Sequence, residues 1–176
     1  MVQLRRASVS DAIWLAELVT DPHFNRWMGD DVRKDELLAL AIPKKFELYN
    51  AGVGNILIAQ DQSGPLGYGA YFDSRSTGHS YVEYGVSPSK CRRGTGGAIL
   101  DALIGSAKRS GALGLQTLCH PENVASVKLL LSRGFAVSAA LAYHPASFRR
   151  YMVSFAPTDI DNEPPYIEGI PPRIQS

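Results

Sequence analysis

The sequence has few cysteines and no long apolar run, and each absence narrows the class of protein. Two cysteines, Cys91 and Cys119, are too few for a disulfide framework, which favours a reducing compartment. No apolar stretch approaches the roughly 18 residues of a membrane-spanning helix, and the N-terminus lacks a signal-peptide pattern. We therefore expect a soluble, cytoplasmic protein without a membrane partner.

A strong charge of either sign is also missing. The 18 Lys and Arg residues nearly balance the 17 Asp and Glu residues, so nucleic acid is not an expected partner. No His, Cys, Asp or Glu residues have the spacing of metal ligands, and no metal is expected. The length of 176 residues fits one domain, which we place at 1–156, followed by a proline-rich tail or arm at 157–176.

Hydrophobic periodicity and turn residues predict the order β-α-α-β-β-β-α-β-α-β-β, an α/β (α+β) arrangement. Ser8-x-x-Asp11 has the pattern of a helix capping box, and Pro43 should interrupt the second helix. Residues 24–31 are expected to be irregular. The predicted strands are 2–7, 56–59, 66–72, 81–86, 113–119, 137–143 and 148–155, and the predicted helices are 8–20, 32–49, 98–110 and 123–133.

What the sequence does have is a basic, glycine-rich turn, Lys90–Gly97, between the strand Tyr81–Val86 and a helix. Glycines let the backbone approach a phosphate closely, and a helix N-terminus directs N–H groups and partial positive charge at one point. Arg92 and Arg93 can add charge-assisted hydrogen bonds. This composition favours an anion site over a plain connection between strand and helix.

Two common phosphate-binding patterns do not fit this turn. A P-loop needs Lys-Ser or Lys-Thr after its last glycine, and neither follows Gly97. A dinucleotide-binding turn needs glycine where Ile99 stands, although alanine is sometimes accepted one place away. Residues 86–100, V-S-P-S-K-C-R-R-G-T-G-G-A-I-L, instead resemble motif A of the Gcn5-related N-acetyltransferase (GNAT) superfamily, V-x-P-x-x-[QR]-x-x-G-x-G-[GA].

A second motif supports the resemblance. Residues 123–135, N-V-A-S-V-K-L-L-L-S-R-G-F, are similar to motif B of the same superfamily, N-x-x-[SA]-x-x-[LF]-Y-x-x-x-G-F. A helix cap at Asn123 and a helix stop at Gly134 explain much of this motif, but not its pairing with motif A. The resemblance covers almost all of residues 2–155. It implies the acetyltransferase fold, a mixed, mostly antiparallel twisted sheet flanked by helices, with strands splayed at the cofactor cleft.

The resemblance also implies where acetyl-coenzyme A (acetyl-CoA) would bind. Backbone groups of Val86 would face the pantetheine, and Ser126 the pyrophosphate or pantetheine. Asn123 would face the pantetheine or the substrate, and a role as a helix cap only is nearly as well supported. The residues implied to hold the pyrophosphate are Arg92, Arg93, Gly94, Thr95, Gly96 and Gly97.

Two residues depart from the family pattern. Cys91 occupies the Gln or Arg position of motif A, which a turn that binds through backbone amides tolerates. Leu130 occupies the position of the tyrosine that often protonates the departing thiolate, and leucine has no proton to donate. That role is vacant or belongs to another residue. Cys119 is expected to be a small buried residue and not a nucleophile.

The implied chemistry is attack of a neutral amine on a thioester, and an amine with a pKa of about 10 needs a general base. Glu83, on the strand before the turn, is the best acidic candidate, and the alternative is a strand-surface carboxylate. In a regular strand Glu83 and Val86 point to opposite faces, so a bulge near Gly85 could re-aim the strand. His79 and His120, at strand ends that could face the cleft, are weaker candidates, since most such histidines are solvated loop residues. An acceptor pocket could be lined by Trp27, Tyr68, Tyr71 and Tyr143, although aromatic residues at such positions usually serve packing.

The resemblance therefore implies an N-acetyltransferase that moves acetyl from acetyl-CoA to a primary amine by direct attack in a ternary complex. The acceptor would be a small molecule or a peptide, and a homodimer is left open. Two alternatives remain at this point: a non-catalytic acyl-CoA sensor with the same fold, and a nucleotide-binding protein that uses the same turn.

Overall fold

A seven-stranded sheet with the order β1-β2-β3-β4-β5-β7-β6 organises the computed structural model, which describes residues 2–27, 38, 42–50, 54–72, 78–138 and 148–155. Every neighbouring pair is antiparallel except β4 and β5, which are parallel. The predicted mixed, mostly antiparallel α/β sheet is confirmed. The strands are β1 Gln3–Arg6, β2 Gly54–Asp61, β3 Gly64–Phe72, β4 His79–Val86, β5 Gly114–Cys119, β6 Ala136–Val137 and β7 Arg149–Ser154.

Helices cover both faces of the sheet. Because successive strand residues point to opposite faces, Ile56 and Ile58 belong to one core cluster and Leu57 and Ala59 to the other. The first cluster includes side chains of the N-terminal helices, and the second those of the two later helices. The helices are α1 Ala12–Thr20, α2 Pro22–Asn25, α3 Ile42–Asn50, α4 Thr95–Arg109 and α5 Val124–Ser132.

The capping box predicted at Ser8 is present, just before α1. The Ser8 backbone N–H donates to Oδ2 of Asp11 at 2.8 Å. Asp11 also accepts two hydrogen bonds from the Arg5 guanidinium, at 2.7 and 2.8 Å, and these hold the pKa of this buried carboxyl below its usual range. The box therefore joins β1 to the first helix as well as starting it.

One prediction about the N-terminal helices was wrong. Part of the segment expected to be irregular forms α2, because the Asp21 carboxylate caps its first turn by accepting from the N–H of His23 at 2.8 Å. Pro43 lies in the first turn of α3, which begins at Ile42, and there a missing N–H removes no hydrogen bond. Residues 39–41 lie outside the described residues, so the interruption of the longer helix stays a prediction.

Some predictions fall on parts of the chain outside the described residues. These are most of the first half of the predicted helix 32–49, the end of the predicted strand 137–143, and the proposed tail 157–176. In the described ranges, no helix is both long enough and apolar enough to cross a membrane.

Candidate active site

A gap in the sheet between β4 and β5 forms the candidate site. The two strands pair at only three positions, which join His79–Tyr81 to Gly114–Gln116. Beyond Tyr81 a cavity of about 970 Å³ opens between them, and its walls also include the N-terminal ends of α4 and α5. The predicted splay of the strands is confirmed, and the gap gives the cavity access to both faces of the sheet.

The structure brings almost all of the predicted site residues to this cavity. Glu83 and eight predicted cofactor residues line it, namely Val86, Arg92, Gly94, Thr95, Gly96, Gly97, Asn123 and Ser126. Arg93 is exposed and is not among the described lining residues. Hydrogen bonds from Ser63 lower the pKa of Asp61, and the charges of Lys90 and Arg93 lower it further, which places Arg93 near the β2–β3 turn.

The turn before α4, called the anion nest below, contains two left-handed residues. Arg92 and Gly94 have φ angles of 65° and 76°, and Cys91 is extended. Left-handed residues in a turn can direct N–H groups towards one concave side. A left-handed arginine costs about 1 kcal/mol, and such residues cluster at ligand-binding sites.

Thr95, the first residue of α4, has an unusual hydroxyl. The residue is 1% exposed, lines the cavity, and its Oγ1 has no hydrogen-bond partner among the described residues. A buried hydroxyl without a partner costs about 1–3 kcal/mol, so this one is suited to donate to an anionic ligand. Together with the nest and the helix N-terminus, it fits a phosphate-bearing cofactor.

Three polar groups form a row on the α5 side of the gap. The Tyr84 and Ser126 hydroxyls are 2.8 Å apart, and the nearby Cys119 thiol donates to the His120 backbone carbonyl at 3.5 Å. Burial raises the pKa of Tyr84 to about 12 and raises the pKa of Cys119, so both groups are protonated at neutral pH. Cys119 is buried, as expected from the sequence.

Glu83 reaches the cavity without a bulge. The register between β3 and β4 is continuous from Gly67↔Val86 to Phe72↔Tyr81, so the bulge considered near Gly85 is absent. Glu83 shares its face with Tyr68, whose pKa is raised well above its usual value by burial and then by the Glu83 charge. Because the gap opens to both faces, Glu83 on one face and Val86 on the other line the same cavity.

An aromatic wall made of Trp27, His120 and Phe148 lines the same cavity. The ring centroids of Trp27 and His120 are 5.8 Å apart, and His120 meets Phe148 edge to face at 5.4 Å. The Glu122 backbone N–H donates to His120 Nδ1 at 3.2 Å, so the neutral ring carries its proton on Nε2. His120 was a weak candidate from the sequence. Its position at the end of a predicted strand was the available signal.

Two residues of motif B have structural roles. Asn123 caps α5 by accepting from the Ser126 N–H at 3.3 Å, and it lines the cavity as well. Leu130 is fully buried in the core cluster and does not belong to the described cavity lining. The position that holds a tyrosine in the family pattern therefore holds a leucine that only packs in the core.

Comparisons with known proteins agree with the fold. A family model described as "Acetyltransferase (GNAT) domain" matches residues 2–136. Among curated proteins, no sequence gave a significant match.

In the described residues, no group of three or more His, Cys, Asp and Glu side chains is arranged to hold a metal ion.

Three solved structures illustrate the similarity, and at these identities each shows the fold alone. The Salmonella typhimurium protein yncA with its cofactor acetyl-CoA is 21% identical, with a TM-score of 0.72, covering 89% of this chain and 95% of that one. RimL, a ribosomal L7/L12 alpha-N-protein acetyltransferase in complex with coenzyme A, is 17% identical, with a TM-score of 0.73 and coverages of 87% and 93%. A ribosomal-protein-alanine N-acetyltransferase from Brucella melitensis is 20% identical, with a TM-score of 0.71 and coverages of 87% and 99%.

Proposed function

Because the chain belongs to the GNAT acetyltransferase family, we propose that it is an N-acetyltransferase that transfers acetyl from acetyl-CoA to a primary amine. The observation that carries this proposal is the continuity of one cavity. The same cavity joins the anion nest before α4 to the Glu83 carboxylate, through the gap between β4 and β5. A phosphate-bearing acyl donor and an amine can therefore meet inside it.

The anion nest and the N-terminus of α4 support binding of the coenzyme A pyrophosphate. Backbone N–H groups of the turn Arg92–Gly97 and the N-terminus of α4 supply the positive end of their dipoles, and Arg92 adds a full charge. The Thr95 hydroxyl has a hydrogen bond left to donate. The exposed edge of β4 near Val86 suits the pantetheine amides, since strand edges offer N–H and C=O groups.

Glu83 supplies the general base in this proposal. Its carboxylate accepts the proton of the amine as the new C–N bond forms and the C–S bond of the thioester breaks. His120 does not compete for this role, because its Nδ1 already accepts a hydrogen bond from Glu122 and its Nε2 carries the proton. The neighbouring rings of Trp27 and Phe148 form a wall that can orient an acceptor and exclude water.

A panel of primary amines, assayed for thiol release from acetyl-CoA, tests the function. The panel should include peptide N-termini, lysine, amino acids, polyamines and aminoglycosides. We expect at least one acceptor, and we expect Glu83→Gln to lower kcat for it by about 10²-fold. Glu47→Gln, which changes an exposed carboxylate paired with Lys44 on α3, is the matched control and should keep the wild-type rate.

The acyl-CoA sensor is the second candidate, favoured by the burial of Leu130 in the core. It predicts tight binding of acetyl-CoA and no thiol release with any amine of the panel. A wild-type rate for Glu83→Gln with an accepted amine would leave the acetyltransferase in place and remove Glu83 from its mechanism.

A further inference from the structure

The chemistry of the proposed reaction requires a second proton transfer. When the C–S bond breaks, the sulfur of coenzyme A leaves as a thiolate inside a partly buried cavity, where an unpaired negative charge is costly. The residue at position 130 cannot help, because Leu130 is an apolar side chain fully buried in the core. A proton donor for the sulfur must therefore be another residue of the cavity lining.

Tyr84 is placed where the departing sulfur needs a proton. It lies on the part of β4 that borders the gap. On one side of it is Tyr81, the last residue paired with β5, and on the other is Val86, the last residue of β4 before the turn. If the pyrophosphate of acetyl-CoA lies in the anion nest and its thioester carbonyl lies close to Glu83, the molecule passes Tyr84. Tyr84 lines the cavity and is mostly buried.

Strand geometry then separates the two proton transfers. Tyr84 follows Glu83 directly, so in the regular strand β4 their side chains point to opposite faces of the sheet. The gap opens the cavity to both faces, and both side chains line it. The amine can lose its proton on the face of Glu83 while the sulfur gains one on the face of Tyr84.

Resting on the acetyltransferase function, we propose that the Tyr84 hydroxyl, positioned by Ser126, donates its proton to the departing coenzyme A thiolate in place of a residue at position 130. The Oη–H bond of Tyr84 breaks as the S–H bond forms. The phenolate left behind accepts a hydrogen bond from the Ser126 hydroxyl, 2.8 Å away, until water restores its proton. The proton taken by Glu83 returns to solvent, so the sum is amine and thioester to amide and thiol.

The neighbouring Cys119 supports this assignment. The Cys119 thiol lines the same cavity near Ser126, so these surroundings already accommodate one sulfur atom. Burial raises the pKa of Cys119, and a thiolate that departs in the same surroundings is destabilised in the same way. A thiolate that burial destabilises gains more from a hydroxyl that donates to it.

Replacement of Tyr84 by phenylalanine tests the proposal with the ring retained. We expect Tyr84→Phe to lower kcat by about 10²-fold while the KM for acetyl-CoA stays unchanged. Tyr151→Phe is the matched control: it removes a phenol from the same core cluster outside the described cavity lining, and it should keep the wild-type kcat. Ser126→Ala should lose part of the rate, and Ser126→Thr, which keeps a hydroxyl, should restore it.

A second measurement does not depend on turnover. The ultraviolet absorbance of the thiolate reports the pKa of the thiol in bound coenzyme A, and we expect that pKa to be higher in Tyr84→Phe than in the wild type, because the thiolate has lost a hydrogen bond. A wild-type kcat in Tyr84→Phe, or an unchanged thiol pKa, would overturn the assignment. If no amine is acetylated by the wild type, the proposed function fails, and the thiol titration still decides whether Tyr84 contacts the sulfur.

Discussion

Single residues support the proposed orientation of acetyl-CoA. Thr95 has a buried hydroxyl without a partner in the described structure, whereas the hydroxyls of Tyr84 and Ser126 satisfy each other. A buried polar group without a partner costs free energy, and a ligand in the cavity can supply that partner. This contrast supports the proposal that the anion lies at α4 and the hydroxyl pair at the reacting end.

Thr95→Val separates the two effects of that hydroxyl. Valine has nearly the same shape, so removing an unpaired buried group should raise the free energy of unfolding of the unliganded protein by about 1 kcal/mol. The same change should weaken acetyl-CoA binding by about tenfold, since one hydrogen bond to the anion is lost. Urea denaturation and isothermal titration measure the two quantities. A less stable protein with unchanged affinity would show that Thr95 has an internal partner and no role in binding.

At the scale of elements, the site depends on the contact between α2 and β4. The Phe24 ring packs so closely on Gly85 that a Cβ at this position would collide with it, and Phe24 also lies beside Tyr68. This contact packs α2, a short helix that was not predicted from the sequence, against the part of β4 that borders the gap.

Gly85→Ala tests this contact. We expect it to lower the free energy of unfolding by about 2 kcal/mol, because either the ring or the strand must move. In a Phe24→Leu background the same substitution should cost clearly less, since the smaller side chain leaves room. Thermal denaturation of the four proteins gives the coupling. Equal costs in both backgrounds would mean that Phe24 does not press on Gly85.

The elements themselves followed closely from local sequence signals. Ser8-x-x-Asp11, the glycines of the turn before α4 and Asn123 each determine a helix start through contacts within a few residues, and these were predicted. For Pro43 the sequence does not separate a break within one helix from the first turn of a new helix, because the two look alike until the start of the helix is known. The capping of α2 by Asp21 was missed for a similar reason, since Asp21-Pro22 reads equally as a stop and as a start.

For the whole molecule, the decisive feature is long-range and could not be read from the sequence. The Tyr84–Ser126 hydrogen bond joins residues 42 positions apart, and it exists only because β5 leaves β4 after Tyr81. Strand alternation correctly placed Glu83 and Val86 on opposite faces, but the inference of a bulge was wrong because the cavity crosses the sheet. Motifs A and B predicted residues that the structure brings to one cavity, and neither motif contains the aromatic wall of that cavity.

Isothermal titration with acetyl-CoA, ATP and NAD tests the central claim, which is that the cavity between β4 and β5 binds acetyl-CoA through the turn Arg92–Gly97. The turn has room for a methyl group at Gly96, whose added Cβ would lie 3.4 Å from Leu129, so Gly96→Ala is a folded control for Gly96→Glu. We predict that acetyl-CoA binds most tightly, that Gly96→Ala still binds it, and that Gly96→Glu does not, because a carboxylate would occupy the anion site. Tighter binding of ATP or NAD, or an unchanged affinity in Gly96→Glu, would contradict the account.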